Sequence, residues 1–212
     1  AQVDIRLVQD LVLCRSDRTR ASDPADSLLA RLNVTDRAAA DLLRTDAVAR
    51  KLLEGRAGKR VQVRVDAHGR LEELVARYAA PSSDKLPTQF TRLRVQRIGD
   101  KLVADTAIVP LTSQTQMASG TIRTSLFAAT DESGIPDVVA TQLAEIFATD
   151  IDFRRELKRG ATFSVVYESL MADGEAIAWG PAIGRGLAAG FVNGGQAFPA
   201  VWFKDGESKG AD

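Results

Sequence analysis

Val61, Val63 and Val65 alternate with Gln62, Arg64 and Asp66, and this two-residue period predicts a strand with one buried face. Ala67-His68-Gly69 reads as a tight turn, and Leu71 to Tyr78 as the returning strand. Upstream, Leu11 to Arg20 alternates in part and predicts another strand, broken by Ser22-Asp23-Pro24. Three helical patterns follow. The first carries Leu28, Leu29 and Leu32, with Asp26 or Ser27 as its cap. The second carries Ala39, Leu42 and Leu43 behind Thr35. The third starts at Asp46, carries Val48, Leu52 and Leu53, and ends at Gly55 and Gly58. Residues 11–79 therefore read β-α-α-α-β-β.

Residues 80–88 hold two prolines and almost nothing apolar, the pattern of a linker. Beyond them Phe90, Leu93 and Val95 begin a strand, Gly99-Asp100 turns it, and Leu102 to Val109 returns as far as Pro110. Thr115 to Ile122 is a further strand. Helices are expected over Ser125–Asp131 and Asp137–Ala148, the second with Pro136 at its start. Phe163 to Leu170, Ile177 to Trp179, Leu187 to Val192 and Phe198 to Phe203 complete the strands, with hairpin signals at Asp173-Gly174 and Asn193-Gly194. The expected architecture is α+β in two small domains: 1–80, a linker over 81–88, and a strand-rich domain over 89–206. The halves echo each other: a short helix behind Ser27 or Ser125, a longer helix, a basic glycine turn and a strand.

Composition narrows the function. Of 212 residues, 45% are hydrophobic and 26% charged, which suits a globular chain able to form two cores. The 28 Lys and Arg balance 28 Asp and Glu. That balance argues against a nucleic-acid partner, which demands a basic footprint. The basic stretch Arg154–Arg159 includes Glu156 and reads as a solvated helix end. No apolar run reaches the ~18 residues of a membrane span. The chain opens at Ala1 without a leader, so any signal or anchor is expected to be either already removed or outside the given sequence. Cys14, beside Leu11, Val12 and Leu13, is expected to be buried filler.

Catalytic chemistry has little to work with. His68 is the one histidine and Cys14 the one cysteine, too few for a zinc site without several carboxylates. The turn setting of His68 suits neither a triad base nor a ligand. No phosphate loop of the Gly-x4-Gly-Lys type occurs. Glu145, Asp150 and Asp152 cluster near a helix end, where capping and ion pairing are the expected roles. No catalytic residue and no metal ligand is assigned.

One ordered set of segments is more specific. It runs Ser125-Leu-Phe-Ala-Ala-Thr-Asp-Glu-Ser-Gly-Ile-Pro-Asp137, Gln142-Leu-Ala-Glu-Ile-Phe147, Asp150 to Gly160, Phe163-Ser-Val-Val-Tyr-Glu168, Asp173-Gly-Glu175, Phe191-Val-Asn-Gly-Gly195 and Ala200-Val-Trp-Phe203. It resembles the region preceding the catalytic domain in Gram-negative lysostaphin/LytM-type zinc peptidases, metallopeptidase family 23. The first half, around Asp26–Leu32 and Gly55–Gly58, resembles the LysM-like, OapA-like domain of the same proteins. Ala25-Asp26-Ser27-Leu28 stands where Gly-Asp-Thr-Leu is usual.

The resemblance implies a non-catalytic regulatory or targeting region of a periplasmic murein DD-endopeptidase, controlling access to its catalytic groove. Inner-membrane anchoring through a removed segment is one form of that location. Zinc is implied only in a further C-terminal domain with His-x3-Asp and His-x-His ligands, none of which lies in these residues, so no cofactor is expected in this chain. Implied partners are peptidoglycan and either the protein's own peptidase domain or a cell-wall regulator. The alternative is a glycan-binding module, using Asp23, Asp26, Ser27, Gly55, Arg56 and Gly58.

Overall fold

The computed structural model describes residues 12–148, 159–177, 179 and 184–202. It divides the chain into two compact units, Ala1–Pro110 and Leu111–Asp212. Both are α+β.

The first unit runs β1 (Leu13–Arg18), α1 (Ala25–Arg31), α2 (Arg37–Thr45), a 3-10 turn (Ala49–Leu52), β2 (Arg60–Val65), β3 (Leu71–Ala79), β4 (Gln89–Ile98) and β5 (Lys101–Pro110). The strands form one antiparallel sheet in sequence order. The two-residue period of β2 works as expected: Val61, Val63 and Val65 are buried and the residues between them are not. They meet Leu28, Leu32, Leu43 and Leu52 from the helical layer in one core. The third expected helix shrinks to the 3-10 turn. Asp46 still initiates it, accepting hydrogen bonds from the backbone N–H groups of Val48 and Ala49 (both 2.8 Å).

The expected linker is corrected. Residues 81–88 connect β3 to β4 inside one sheet, and the division between units falls at Pro110–Leu111. The reason lies in register. Leu93 pairs with Ala76 and Val95 with Leu74, and all four belong to the first core. Burying these side chains outweighs the weak strand propensity of the connection. That connection closes locally through Lys85 N–H to the Ser82 carbonyl (3.1 Å) and Gln89 N–H to the Lys85 carbonyl (2.8 Å).

The second unit runs β6 (Thr112–Thr121), α3 (Leu126–Glu132), α4 (Asp137–Phe147), β7 (Thr162–Ala172), β8 (Glu175–Ala176), β9 (Gly184–Asn193) and β10 (Gln196–Trp202). Its sheet is ordered β10-β9-β7-β6, with β8 turned back onto β7. Ser125 caps α3, its Oγ accepting from Ala128 N–H (3.1 Å). Pro136 takes the N-cap position of α4. Phe147, Phe163 and Phe191 join Val139 and Leu143 in a separate core. The Phe147 and Phe191 rings lie 5.3 Å apart, and Phe198 meets Phe191 edge-on at 6.3 Å.

Candidate functional site

The glycan-contact residues suggested by sequence belong to two loops of the first unit, β1 to α1 and the 3-10 turn to β2. The structure brings these loops together at Thr19. Thr19 N–H donates to the Lys59 carbonyl (3.0 Å), Gly58 N–H donates to the Thr19 carbonyl (2.8 Å), and Lys59 N–H donates to Thr19 Oγ1 (3.0 Å). A buried threonine thus satisfies backbone groups that would otherwise be stranded where the strand ladder stops.

Asp23 lies beneath this junction, buried, and is committed to structure. Arg31 donates Nη1 to Asp23 Oδ1 (3.0 Å) and Nη2 to Asp23 Oδ2 (2.7 Å) in a forked pair. The same guanidinium donates Nε to Asp17 (2.5 Å) and Nη2 to the Arg18 carbonyl (3.1 Å). The hydrogen bonds from Arg31 hold both carboxyls below the usual carboxylate range. Hydrogen bonds from Asp23 and then Asp17 push the Arg31 pKa above its ordinary value.

Asp26 and Ser27 do not cap α1. Pro24 occupies the N-cap and no side chain caps the helix. Asp26 lies inside the first turn and pairs with Arg44 of α2, and Ser27 donates its backbone N–H to the Pro24 carbonyl (3.1 Å). Thr35 likewise yields its expected capping role to Asp36, whose Oδ1 accepts from Ala38 N–H (3.0 Å) and Ala39 N–H (3.4 Å). The other Asp36 oxygen accepts from Leu71 N–H (3.1 Å) and pairs with Arg97, both side chains nearly buried. Thr35 instead donates to the His68 carbonyl (3.2 Å).

Gly55, Arg56 and Gly58 form the exposed part of the second loop. Gly55 (φ +70°) and Gly58 (φ +89°) adopt left-handed backbone that a side chain would strain. Lys59 fixes this loop from inside. Its ammonium donates to the carbonyls of Lys51 (2.6 Å), Leu52 (3.0 Å) and Glu54, and sits 4.8 Å from the centre of the Tyr78 ring. Burial pushes the Lys59 pKa down. Of the six suggested residues, the fold therefore presents Asp26, Ser27, Gly55, Arg56 and Gly58 at the surface and withdraws Asp23 into an ion pair.

Nothing at this junction resembles a nucleophile with a base. His68 is exposed in the β2–β3 turn, its N–H held by Asp66 Oδ1 (2.8 Å). Cys14 is exposed on β1, contrary to the buried role expected from its apolar neighbours, because it pairs with Arg64, which is exposed between the buried Val63 and Val65. Among the described residues, no group of three or more His, Cys, Asp or Glu could hold a metal ion. Glu145 is exposed on α4, while Asp150, Asp152 and the Arg154–Arg159 stretch, except Arg159, lie outside the described residues. Among the described residues, no helix is long and apolar enough to cross a membrane.

Sequence reading missed Arg31 and Lys59, the two side chains that organise these loops. Lys59 had a signal: a Lys just after a helical turn and Gly58 is placed to bind terminal carbonyls. Arg31 had none, since its partners lie 8 and 14 residues away.

Comparison with known proteins adds a partial likeness to this geometry. No family model matches the chain. A stretch of 93 residues is 32% identical to the peptidoglycan DD-endopeptidase ShyC of Vibrio cholerae serotype O1, covering 43% of this chain and 20% of that protein. The chain thus spans about a fifth of the length of the curated relative it matches.

Two solved structures also overlay. A zinc-containing peptidase from Vibrio cholerae does so at 15% identity and a TM-score of 0.41, over 90% of this chain and 55% of that one. Helicobacter pylori Csd3, from the orthorhombic crystal, does so at 12% identity and a TM-score of 0.47, over 90% and 48%. At these scores neither overlay establishes a shared fold.

Proposed function

We propose that this chain is a non-catalytic, regulatory region of a periplasmic peptidoglycan DD-endopeptidase-like zinc metallopeptidase, and that it controls access to the catalytic groove. The observation that carries this reading is the 32% identity over 93 residues to a peptidoglycan DD-endopeptidase. The ordered motifs from Ser125 to Phe203 support it, and point to the region ahead of a catalytic domain of metallopeptidase family 23. In this reading zinc and the water it activates belong to that separate domain. The partners are peptidoglycan and the peptidase domain itself, over whose groove this region would lie as a lid, or a cell-wall regulator that displaces that lid.

A second reading is favoured by one feature, the exposed Gly55–Gly58 loop held by Lys59. In it the first unit is a LysM-like module that grips glycan strands through Arg56 and the loop backbone. Dye release from labelled sacculi tests the first reading. The chain alone should release no dye, and should slow a separately prepared catalytic domain in proportion to dose. A tethered lid acts at an effective concentration of ~mM, so inhibition in trans is expected only at high concentration. Dye release by the chain alone contradicts the non-catalytic assignment.

A further inference from the structure

The first sheet ends in two unlike edges. β1, at one end, is six residues long and carries Arg15, Asp17 and Arg18. Short length and charge are devices that keep an edge strand from pairing with another chain. β5, at the other end, is poorly protected. It runs ten residues in unbroken register with β4, and its only charged residues are Lys101 and Asp105. Proline enters only at its last position, Pro110.

Leu102 and Ala104 of β5 pack against the first core. Lys101, Val103 and Asp105 therefore share the opposite face. All three are exposed, Val103 by 48%. Across the sheet Lys101 faces Ile98, and Asp105 faces Arg94. Arg94 turns its Nε to Glu73 instead (2.8 Å). Among the described residues, neither Lys101 nor Asp105 enters a salt bridge.

These two charges complement each other. Antiparallel pairing of β5 with a second copy of itself has a two-fold axis normal to the sheet. That rotation keeps each face on its own side, so the axis must pass through a residue position. With the axis at Val103, Lys101 meets the second copy's Asp105, Leu102 meets Ala104, and Val103 meets its own copy. An axis at Ala104 sets Lys101 against Ala107 and Val103 against Asp105. An axis at Asp105 sets like charges opposite, and one at Thr106 leaves both charges without a counterpart. Opposite charges directly across strands stabilise a pair and like charges destabilise it, so the charges select the axis at Val103.

We infer that β5 is a docking edge for a second copy of this chain, joined antiparallel about Val103 through two Lys101–Asp105 pairs. β6, an edge of the second sheet, is as long and carries no charge, so nothing in it selects a partner or a register. The paired stretch Lys101–Asp105 is short, and the contact belongs with weak, transient interfaces.

The test is analytical ultracentrifugation of the intact chain over roughly 10 µM to 1 mM, the range in which a weak dimer forms. The average mass should rise towards that of a dimer. Lys101→Asp alone and Asp105→Lys alone should each weaken self-association about tenfold or more, because each sets like charges opposite. Mixing the two variants should restore association, since unlike charges then meet in the mixed pair, a recovery that a folding defect would not give. Val103→Lys should also abolish the dimer, and Met117→Lys on β6 should leave it unchanged. A chain monomeric throughout, single variants that stay monomeric when mixed, or association lost through Met117→Lys and kept in Val103→Lys overturns the inference. A monomeric chain that binds a peptidase domain and loses that binding through Val103→Lys also overturns it, and assigns the edge to that domain.

Discussion

The two units solve one packing problem by different means. Each sets a helix pair on an antiparallel sheet, α1–α2 in the first and α3–α4 in the second. In the first, charged side chains tie loops and helix ends to the sheet: Arg31 to Asp17 and Asp23, Arg97 to Asp36, and Lys59 to three carbonyls. In the second, phenylalanines fill the space between helix and sheet, and the first helix is closed by a serine cap. Ionic ties are directional and fix loop positions, whereas aromatic burial fixes layers. The unit with exposed, ionically held loops is thus the one equipped to present a binding surface.

The comparison predicts its largest breaks at one buried group in each unit. Asp36→Ala should cost ~3–5 kcal/mol, because it uncaps α2 and leaves the buried Arg97 with Glu72, at 3.9 Å, as its nearest carboxylate. Phe191→Ala should cost ~3–5 kcal/mol by opening a cavity under α4. Hydrogen exchange should assign each loss to its own unit, β2 and β3 for the first and β7 and β9 for the second. A loss spread evenly over both sheets would contradict the separation of cores.

Acid should distinguish the units next. Asp17 and Asp23 are held below the usual carboxylate range by Arg31. Their contribution to stability is therefore present above the ordinary carboxylate pKa and is lost as pH falls through the lowered folded values. The first unit should lose exchange protection below about pH 4, and Arg31→Met should flatten that dependence. A first unit whose acid sensitivity is the same with and without Arg31 would break the account of the clamp.

The smallest difference lies at the first helix of each unit. Ser125→Ala should cost ~0.5–2 kcal/mol in thermal or urea unfolding, as a true cap does. Asp26→Ala should cost less, since Asp26 makes only an exposed ion pair with Arg44. Equal losses would restore Asp26 as a cap.

Much of this fold was legible where the period was local. The β2 alternation, the Asp173-Gly174 turn and the Ser125 cap each depend on residues within a few positions; the second hairpin turns on Gly194-Gly195, one residue past the Asn193-Gly194 signal, because Asn193 still pairs with Gln196. The sequence echo between the halves corresponds to the two helix pairs, but its serines do not correspond, because Pro24 takes the cap that Ser27 resembles. The domain boundary was misread at 81–88 because a polar, proline-bearing connection looks the same within a sheet as between domains. Only the pairing of Leu93 and Val95 with β3 distinguishes them. The loop junction was half legible. Gly55 and Gly58 announce a turn, but Arg31 and Arg97 act across long sequence separations that no local pattern records.

If the proposed restraint of a peptidase holds, the chain must bind the catalytic domain rather than free glycan. Calorimetric titration into a zinc-loaded catalytic domain from a peptidoglycan DD-endopeptidase, paralleled by titration with chitotetraose, addresses it directly. The account predicts saturable binding to the catalytic domain and no heat from the free sugar. Saturable binding of chitotetraose with none to the catalytic domain would contradict the lid and leave the glycan-binding module in its place.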